Sequence, residues 1–277
     1  FHTISFLEIV SYTQNSGGNT CALITPTGNT PPVVTVPAGG LTIPINTPIA
    51  LTGSATDAEN QNSLTYCWEQ YDLGPAGTLA NPTGNAPIIR SFNPDTSSTR
   101  YIPRISNLIN NTFATGERLP SYARTLSFRL TVRDNNIAGG GVNYEFVSYE
   151  VTAGAGPFLV TQPNTNVTWN SNNPQTVTWD VANTNAAPVS VSNVNIKLST
   201  DGGLTFPTTL AANTSNDGSE TITLPSINIS NARIKVEAVG NIFFDISNVN
   251  FAISNQVSVL NNNTGIPSEY SLSQNFP

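Results

Sequence analysis

Two loops hold most of the oxygen ligands that this chain can offer a cation. Asp57, Glu59, Asn60 and Asn62 precede the run Leu64-Thr65-Tyr66-Cys67-Trp68, and Asp134, Asn135 and Asn136 follow the run from Thr125 to Val132. Calcium takes about six to eight oxygens, and carboxylates and amides gathered at strand ends supply that kind of ligand. Asp57, Glu59, Asn60, Asp134 and Asn136 are therefore the candidate calcium ligands. The same residue types also favour turns through local hydrogen bonds. No EF-hand spacing decides between a calcium site and ordinary turns.

Other reactive chemistry has little to work with. His2 is the single histidine, so a three-imidazole zinc site cannot form, and a Ser-His-Asp triad would have to use His2. Glu69 and Asp72 flank the end of the Trp68 run and Asp180 follows Trp179, but nothing in the sequence pairs any of them as a glycosidase acid and base. Ser199-Thr200-Asp201-Gly202-Gly203-Leu204-Thr205-Phe206 resembles an Asp-box, whose carboxylate binds backbone amides across a tight turn. The structural reading of that motif is favoured. Tyr71, Tyr101, Tyr122 and Trp169 are aromatics that could meet a sugar, with core packing the competing fate of each. Trp68 and Trp179 sit mid-strand and are expected in the core. The sequons at Asn110, Asn166, Asn213, Asn228 and Asn262 carry no weight in a chain so rich in Asn, Ser and Thr.

Composition narrows the classes. The 277 residues are 38% hydrophobic and only 10% charged, with a net charge of −7 and a pI near 4.5. That balance speaks against nucleic acid, since no basic stripe exists to release counterions, and it disfavours an anionic membrane surface. No apolar run approaches the ~20 residues that span a bilayer. Phe1 opens no signal peptide, so the chain reads as an internal or processed piece of a longer exported precursor, extracellular or at the cell surface. Cys21 and Cys67 are either joined to each other or left apart by a partner upstream of Phe1.

The elements that must position these residues are mostly strands. From Gly156 to Asn255 the sequence alternates apolar with polar residues in pieces closed by Gly, Pro, Asn or Asp, the period-2 pattern of an antiparallel sandwich. Val33–Val36, Ile49–Thr52, Leu64–Trp68, Thr125–Val132 and Tyr144–Val151 read the same way. Trp68 lies where an immunoglobulin-like sandwich places a core tryptophan, and alternation turns Cys67 to the opposite face. Residues 1–28 read as one short helix with Ser5 as its cap, ended by Gly17-Gly18. The organisation expected is 1–28 as a helical remnant, 29–153 as a first sandwich with an irregular 72–122 insertion, 154–254 as a second sandwich, and 255–277 as linker and tail. A short helix is expected near Ile105–Asn110, and the hinge from Ala153 to Pro157 is too short for much freedom.

Several segments resemble one family. Phe1-His2-Thr3-Ile4-Ser5, Glu8-Ile9 and Gly18-Asn19-Thr20-Cys21 look like the last helix and exit of a reprolysin-like zinc metallopeptidase domain. Thr52-Gly53-Ser54-Ala55-Thr56-Asp57, Leu64 to Gln70 and Arg133-Asp134-Asn135 are similar to the module that follows it in secreted Bacteroidota-type proteins, and 156–254 resembles their second module. Tyr270-Ser271-Leu272-Ser273-Gln274-Asn275-Phe276-Pro277 looks like the opening of a type IX secretion sorting domain. The zinc motif of such peptidases needs three histidines, so the resemblance implies a region without the catalytic domain and no enzyme within this chain.

Together these readings give an all-β fold of two tandem immunoglobulin-like antiparallel β-sandwiches with a short N-terminal helical remnant. The expected role is that of an accessory region, for spacing, adhesion or substrate binding. Its partners would be type IX secretion machinery and a cell-surface or polysaccharide ligand, with calcium as the one cofactor to consider. The alternative is a structural subunit of an extracellular filament, built by exchange of a strand or of the N-terminal segment.

Overall fold

The computed structural model describes residues 3–20, 23, 25–78, 80–113 and 115–255. Helix α1 (Thr3–Asn15) leads into a 3-10 turn over Gly17–Thr20. Ser5 lies inside α1 and not at its start, so it is no cap. The first sandwich contains β1 (Val33–Thr35), β2 (Thr42–Pro44), β3 (Ile49–Thr52), β4 (Ser54–Thr56), β5 (Thr65–Gln70) and β6 (Thr99–Ile102). Helix α2 (Ile105–Ile109), β7 (Arg124–Arg133) and β8 (Val142–Thr152) complete it. The second sandwich holds β9 (Leu159–Gln162), β10 (Thr168–Asn170), β11 (Gln175–Asp180), β12 (Asn193–Ser199) and β13 (Thr208–Ser215). It closes with β14 (Ser219–Ile222), β15 (Ile229–Ala238), β16 (Phe244–Ile246) and β17 (Phe251–Ser254).

In the first sandwich a sheet of order β2-β8-β7-β5 faces the short pairs β1-β4 and β3-β6. In the second, β10-β17-β15-β12-β13, with β16 on β15, faces β14-β11-β9. Pairing is antiparallel except at β2 on β8 and β10 on β17, where an early strand runs parallel to the last strand of its own sandwich. These are immunoglobulin-like sandwiches in tandem. Period-2 chemistry explains why: along β7 the side chains of Leu126, Phe128, Leu130 and Val132 are at most 1% exposed, while the alternate positions present Thr125, Ser127, Arg129 and Thr131. Val194, Ile196 and Leu198 on β12 lie opposite Ala238, Val236 and Ile234 on β15 in the same manner, all buried.

The insertion is more ordered than its Pro and Asn content suggests. β6 pairs with β3 from Ile49↔Ile102 to Thr52↔Thr99, and α2 follows where a short helix is expected.

The two sandwiches share one hydrophobic core. Ile45 N–H donates to Ala155 O (3.0 Å), Ala50 N–H to Ile242 O (2.8 Å) and Phe244 N–H to Pro48 O (3.0 Å). Ile49 and Phe243 form a β-bridge across the same boundary. Phe158 packs edge-on against Phe243 with centroids 5.3 Å apart, and Tyr101 against Phe244 at 5.5 Å. Gly156, at φ +98°, is required here, because a Cβ would lie 2.3 Å from Ile45 O. A second contact joins the insertion to the later sandwich: Arg233 donates to Ile109 O (2.8 Å), and Asn111 to Asn248 O (2.7 Å). Gly203, at φ +98°, lies so close to Ile109 that a Cβ would approach its side chain to 2.7 Å.

Candidate functional site

The loops that carry the candidate calcium ligands meet at one end of the first sandwich, around Asn29. Asp134 leaves β7 fully buried. Its carboxylate accepts hydrogen bonds from Asn29 Nδ2 (2.6 Å), the Asn136 amide (3.0 Å) and the Gly141 amide (2.8 Å). Burial alone would raise its pKa, but these donors outweigh it and hold the group below the usual carboxylate range. Asn29 Oδ1 in turn accepts from Asn60 Nδ2 (2.9 Å) and Asn136 Nδ2 (3.0 Å). Asp57 Oδ1 accepts from the Glu59 (3.0 Å) and Asn60 (2.5 Å) amides, and Glu59 accepts from the Thr30 hydroxyl (2.7 Å). The structure thus gathers all five residues and adds Asn29, which the sequence reading left out. Asp57 Oδ2 is buried with no partner, one oxygen that suits a cation. Asp134, Glu59 and Asn136 accept from neighbouring donors, Gly141, Thr30 and Ala138 among them, and among the described residues no three His, Cys, Asp or Glu side chains stand together to hold a metal ion.

The Asp-box geometry is that of a hairpin lock. Asp201 accepts from the Ser199 hydroxyl (2.6 Å), the Thr205 amide (3.0 Å) and the Thr205 hydroxyl (2.6 Å). Desolvation is the largest single influence and opposes these bonds, yet together they bring its pKa down to about 2. Of the carboxylates near tryptophans, Glu69 accepts from Thr3 and Ser91, and Asp72 accepts from Gln70 and the Ser127 amide beside Arg124. Both are buried and tied to structural partners. Asp180 receives the Ala182 amide on a turn. No two of them are placed across a cleft as acid and base. His2 lies outside the described residues.

The aromatic candidates divide. Trp169 is core, packed on Phe251 at 5.1 Å. Trp68 and Trp179 are also core, with indole N–H groups on Ser98 O (3.1 Å) and Asn216 Oδ1 (2.9 Å). Tyr101 serves the boundary between sandwiches, and Tyr122 donates to Gly84 O (2.8 Å). Tyr71 packs on Phe146, which in turn meets Tyr144, on the outer face of the β5-β7-β8 sheet. That face also seats α1, with Phe6 against the buried Arg129 guanidinium at 5.3 Å. Cys67 carries a free, buried thiol on this face, its Sγ 3.4 Å from Phe92 O, and burial pushes its pKa up. Cys21 lies outside the described residues.

One concavity has no counterpart in the sequence reading. A cleft of ≈ 770 Å³ opens between β5 and the insertion. Phe92 is its hub: the guanidinium carbons of Arg104, Arg100 and Arg90 lie 3.3, 4.7 and 5.0 Å from the ring centroid. Arg100 is bound to Glu117 (2.7 Å) and to the carbonyls of Trp68 (2.6 Å) and Arg90 (2.7 Å). Among the described residues, the Arg90 and Arg104 guanidiniums have neither a carboxylate nor a hydrogen-bond partner. The signal in the sequence was weak but present: three of the ten basic residues fall between positions 90 and 104, around one Phe.

No family model and no curated protein matches the sequence. Solved structures of multi-domain β-proteins align with it at low similarity. Titin domains Z1Z2 in complex with telethonin align at 11% identity and TM-score 0.24, covering 82% of this chain and 98% of that one. Drosophila N-cadherin EC1-4 gives 10% and 0.27, with 82% of this chain and 50% of that one. The Bacteroides ovatus mixed-linkage glucan protein SGBP-B, in complex with a heptasaccharide, gives 12% and 0.26, with 82% and 48%. The chain spans about half the length of the latter two. At such scores the fold assignment rests on the sheets described above.

Proposed function

We propose that this chain is a stiff, non-catalytic accessory region of a secreted or surface-held protein, presenting binding surface at a fixed geometry. The observation that carries this reading is the boundary between the sandwiches. Three backbone hydrogen bonds, a β-bridge and the Tyr101–Phe244 ring pair cross it. Flexible tandem modules meet through small polar interfaces, whereas an apolar, hydrogen-bonded boundary suppresses relative motion. The sequence resemblance suggests the parent, a reprolysin-like metallopeptidase of Bacteroidota type bearing a type IX sorting tail. The residues of that tail, 270–277, lie outside the described residues. The test is rotational diffusion by NMR relaxation on the full chain. One shared correlation time for both sandwiches is expected, and two distinct times would overturn the reading.

Calcium is a second reading, favoured by the orphaned Asp57 Oδ2 on a loop that Asn60 and Asn29 tie to Asp134 and Asn136. An ion there would tie the loop before β5 to the loop after β7. Binding that favours the native state raises the melting temperature in proportion to RT ln(1 + [L]/Kd). Calcium should therefore raise it by several degrees and chelator should reverse the rise. No change with either removes this reading and leaves the Asn29 network as a structural latch.

A further inference from the structure

We infer that the cleft around Phe92 binds an acidic oligosaccharide, with a uronate carboxylate held between Arg90 and Arg104. Both guanidinium carbons lie over the Phe92 ring, at 5.0 and 3.3 Å from its centroid, and both arginines are exposed to solvent. Guanidinium is a rigid fork whose spacing matches a carboxylate, and stacking lowers the ordering cost of using it. Three such groups around one ring repel one another. Glu117 offsets only one of them, since it is engaged by Arg100 and by the Arg104 amide (3.0 Å). An incoming carboxylate relieves the remaining repulsion. Asp95 is the one carboxylate lining the cleft, and it accepts from the Thr96 amide (2.6 Å) and, at 3.3 Å, the Thr96 hydroxyl. Asn93 and Ser106 line the same space with an amide and a hydroxyl suited to sugar hydroxyls, and half-buried Tyr66 adds an aromatic wall.

A carboxylate could also come from an acidic peptide. The hydroxyl-rich, open lining favours the saccharide, because a peptide would need partners for its backbone N–H and C=O groups along a strand edge. Asp95 already exchanges both its backbone bonds with Tyr66 on the edge of β5 (2.7 and 3.0 Å), closing that route at this point.

This inference deepens the accessory-region reading, and its test is separate from rotational diffusion, so either can fail alone. The experiment is titration calorimetry of the full chain at low salt with tetragalacturonate, its methyl ester and a short poly-glutamate peptide. Tetragalacturonate should bind, the neutral ester should bind at least tenfold more weakly, and poly-glutamate should be weaker than tetragalacturonate. The double variant Arg90→Gln/Arg104→Gln should lose at least tenfold in affinity with its melting temperature unchanged. Should the variant fail to fold, the unaltered chain decides: tetragalacturonate should shift the Trp68 indole resonance and leave that of Trp179 in place. No binding, equal binding of the ester or the peptide, full affinity in a folded double variant, or a Trp68 resonance that does not move would each overturn the assignment.

Discussion

In the second sandwich the inward positions of β12 and β15 are filled by Val, Ile, Leu and Ala without interruption, and the Asp201 hairpin serves its own turn. The first sandwich encloses an apolar core of similar kind, yet its outer sheet face buries Glu69 and Arg129 under α1, and its 72–122 insertion builds an arginine-lined cleft. The regular body supplies support and the interrupted one supplies chemistry. That division is what a sandwich scaffold permits, since function sits in sites added to a fold. The boundary contacts make the two depend on each other.

The strongest way to break the comparison is to separate the bodies. Phe243→Ala removes a fully buried ring from the shared core, and a loss of about 3–5 kcal/mol is expected for such a deletion. Denaturant unfolding should show the loss, along with two transitions where the unaltered chain has one.

Next in size is a charge confined to the second sandwich. Asp245 is buried, and desolvation raises its pKa to about 7 although the Val160 and Ile246 amides donate to it. The native state therefore holds a proton that the unfolded chain releases near pH 4. Stability is highest below that point and falls as pH rises through about 7, by up to about 4 kcal/mol for a three-unit shift. Asp245→Asn should flatten this slope, which thermal melts between pH 4 and 8 would show.

Asn29→Ala acts on the first sandwich alone. It leaves Asp134, Asn60 and Asn136 short of partners, and roughly 1–3 kcal/mol should be lost. Asp201→Ala should have the smallest effect, about 1 kcal/mol. Because the folded pKa of Asp201 lies below its ordinary value, its contribution is present above about pH 4 and fades as pH drops toward 2. Melting curves of this variant and its parent should converge over that acid range.

The strands were legible wherever apolar and polar residues alternate, as in Leu126-Ser127-Phe128-Arg129-Leu130, even where α1 covers the polar face. β6 was not, because Thr-Arg-Tyr-Ile is short and its partner β3 lies about fifty residues earlier, a pairing that local pattern cannot signal. The boundary was hidden for a different reason: its bonds use the backbone of Ile45, Pro48 and Ala50, which leaves no side-chain signature. The loops around Asp57 and Asp134 were readable as oxygen-rich, but the part played by Asn29 depends on where the chain before β1 passes. Arg90, Arg100 and Arg104 stand ten and four residues apart, a spacing that no regular element brings together. Their common ring, Phe92, does.

The shared boundary is tested most directly by hydrogen exchange at the Ala50 and Phe244 amides, which donate across it. Protection equal to that of the Leu130 amide on β7, lost only in global unfolding, is the expected result. Fast exchange at both amides while β7 and β15 stay protected would show two bodies moving apart, and would contradict the account.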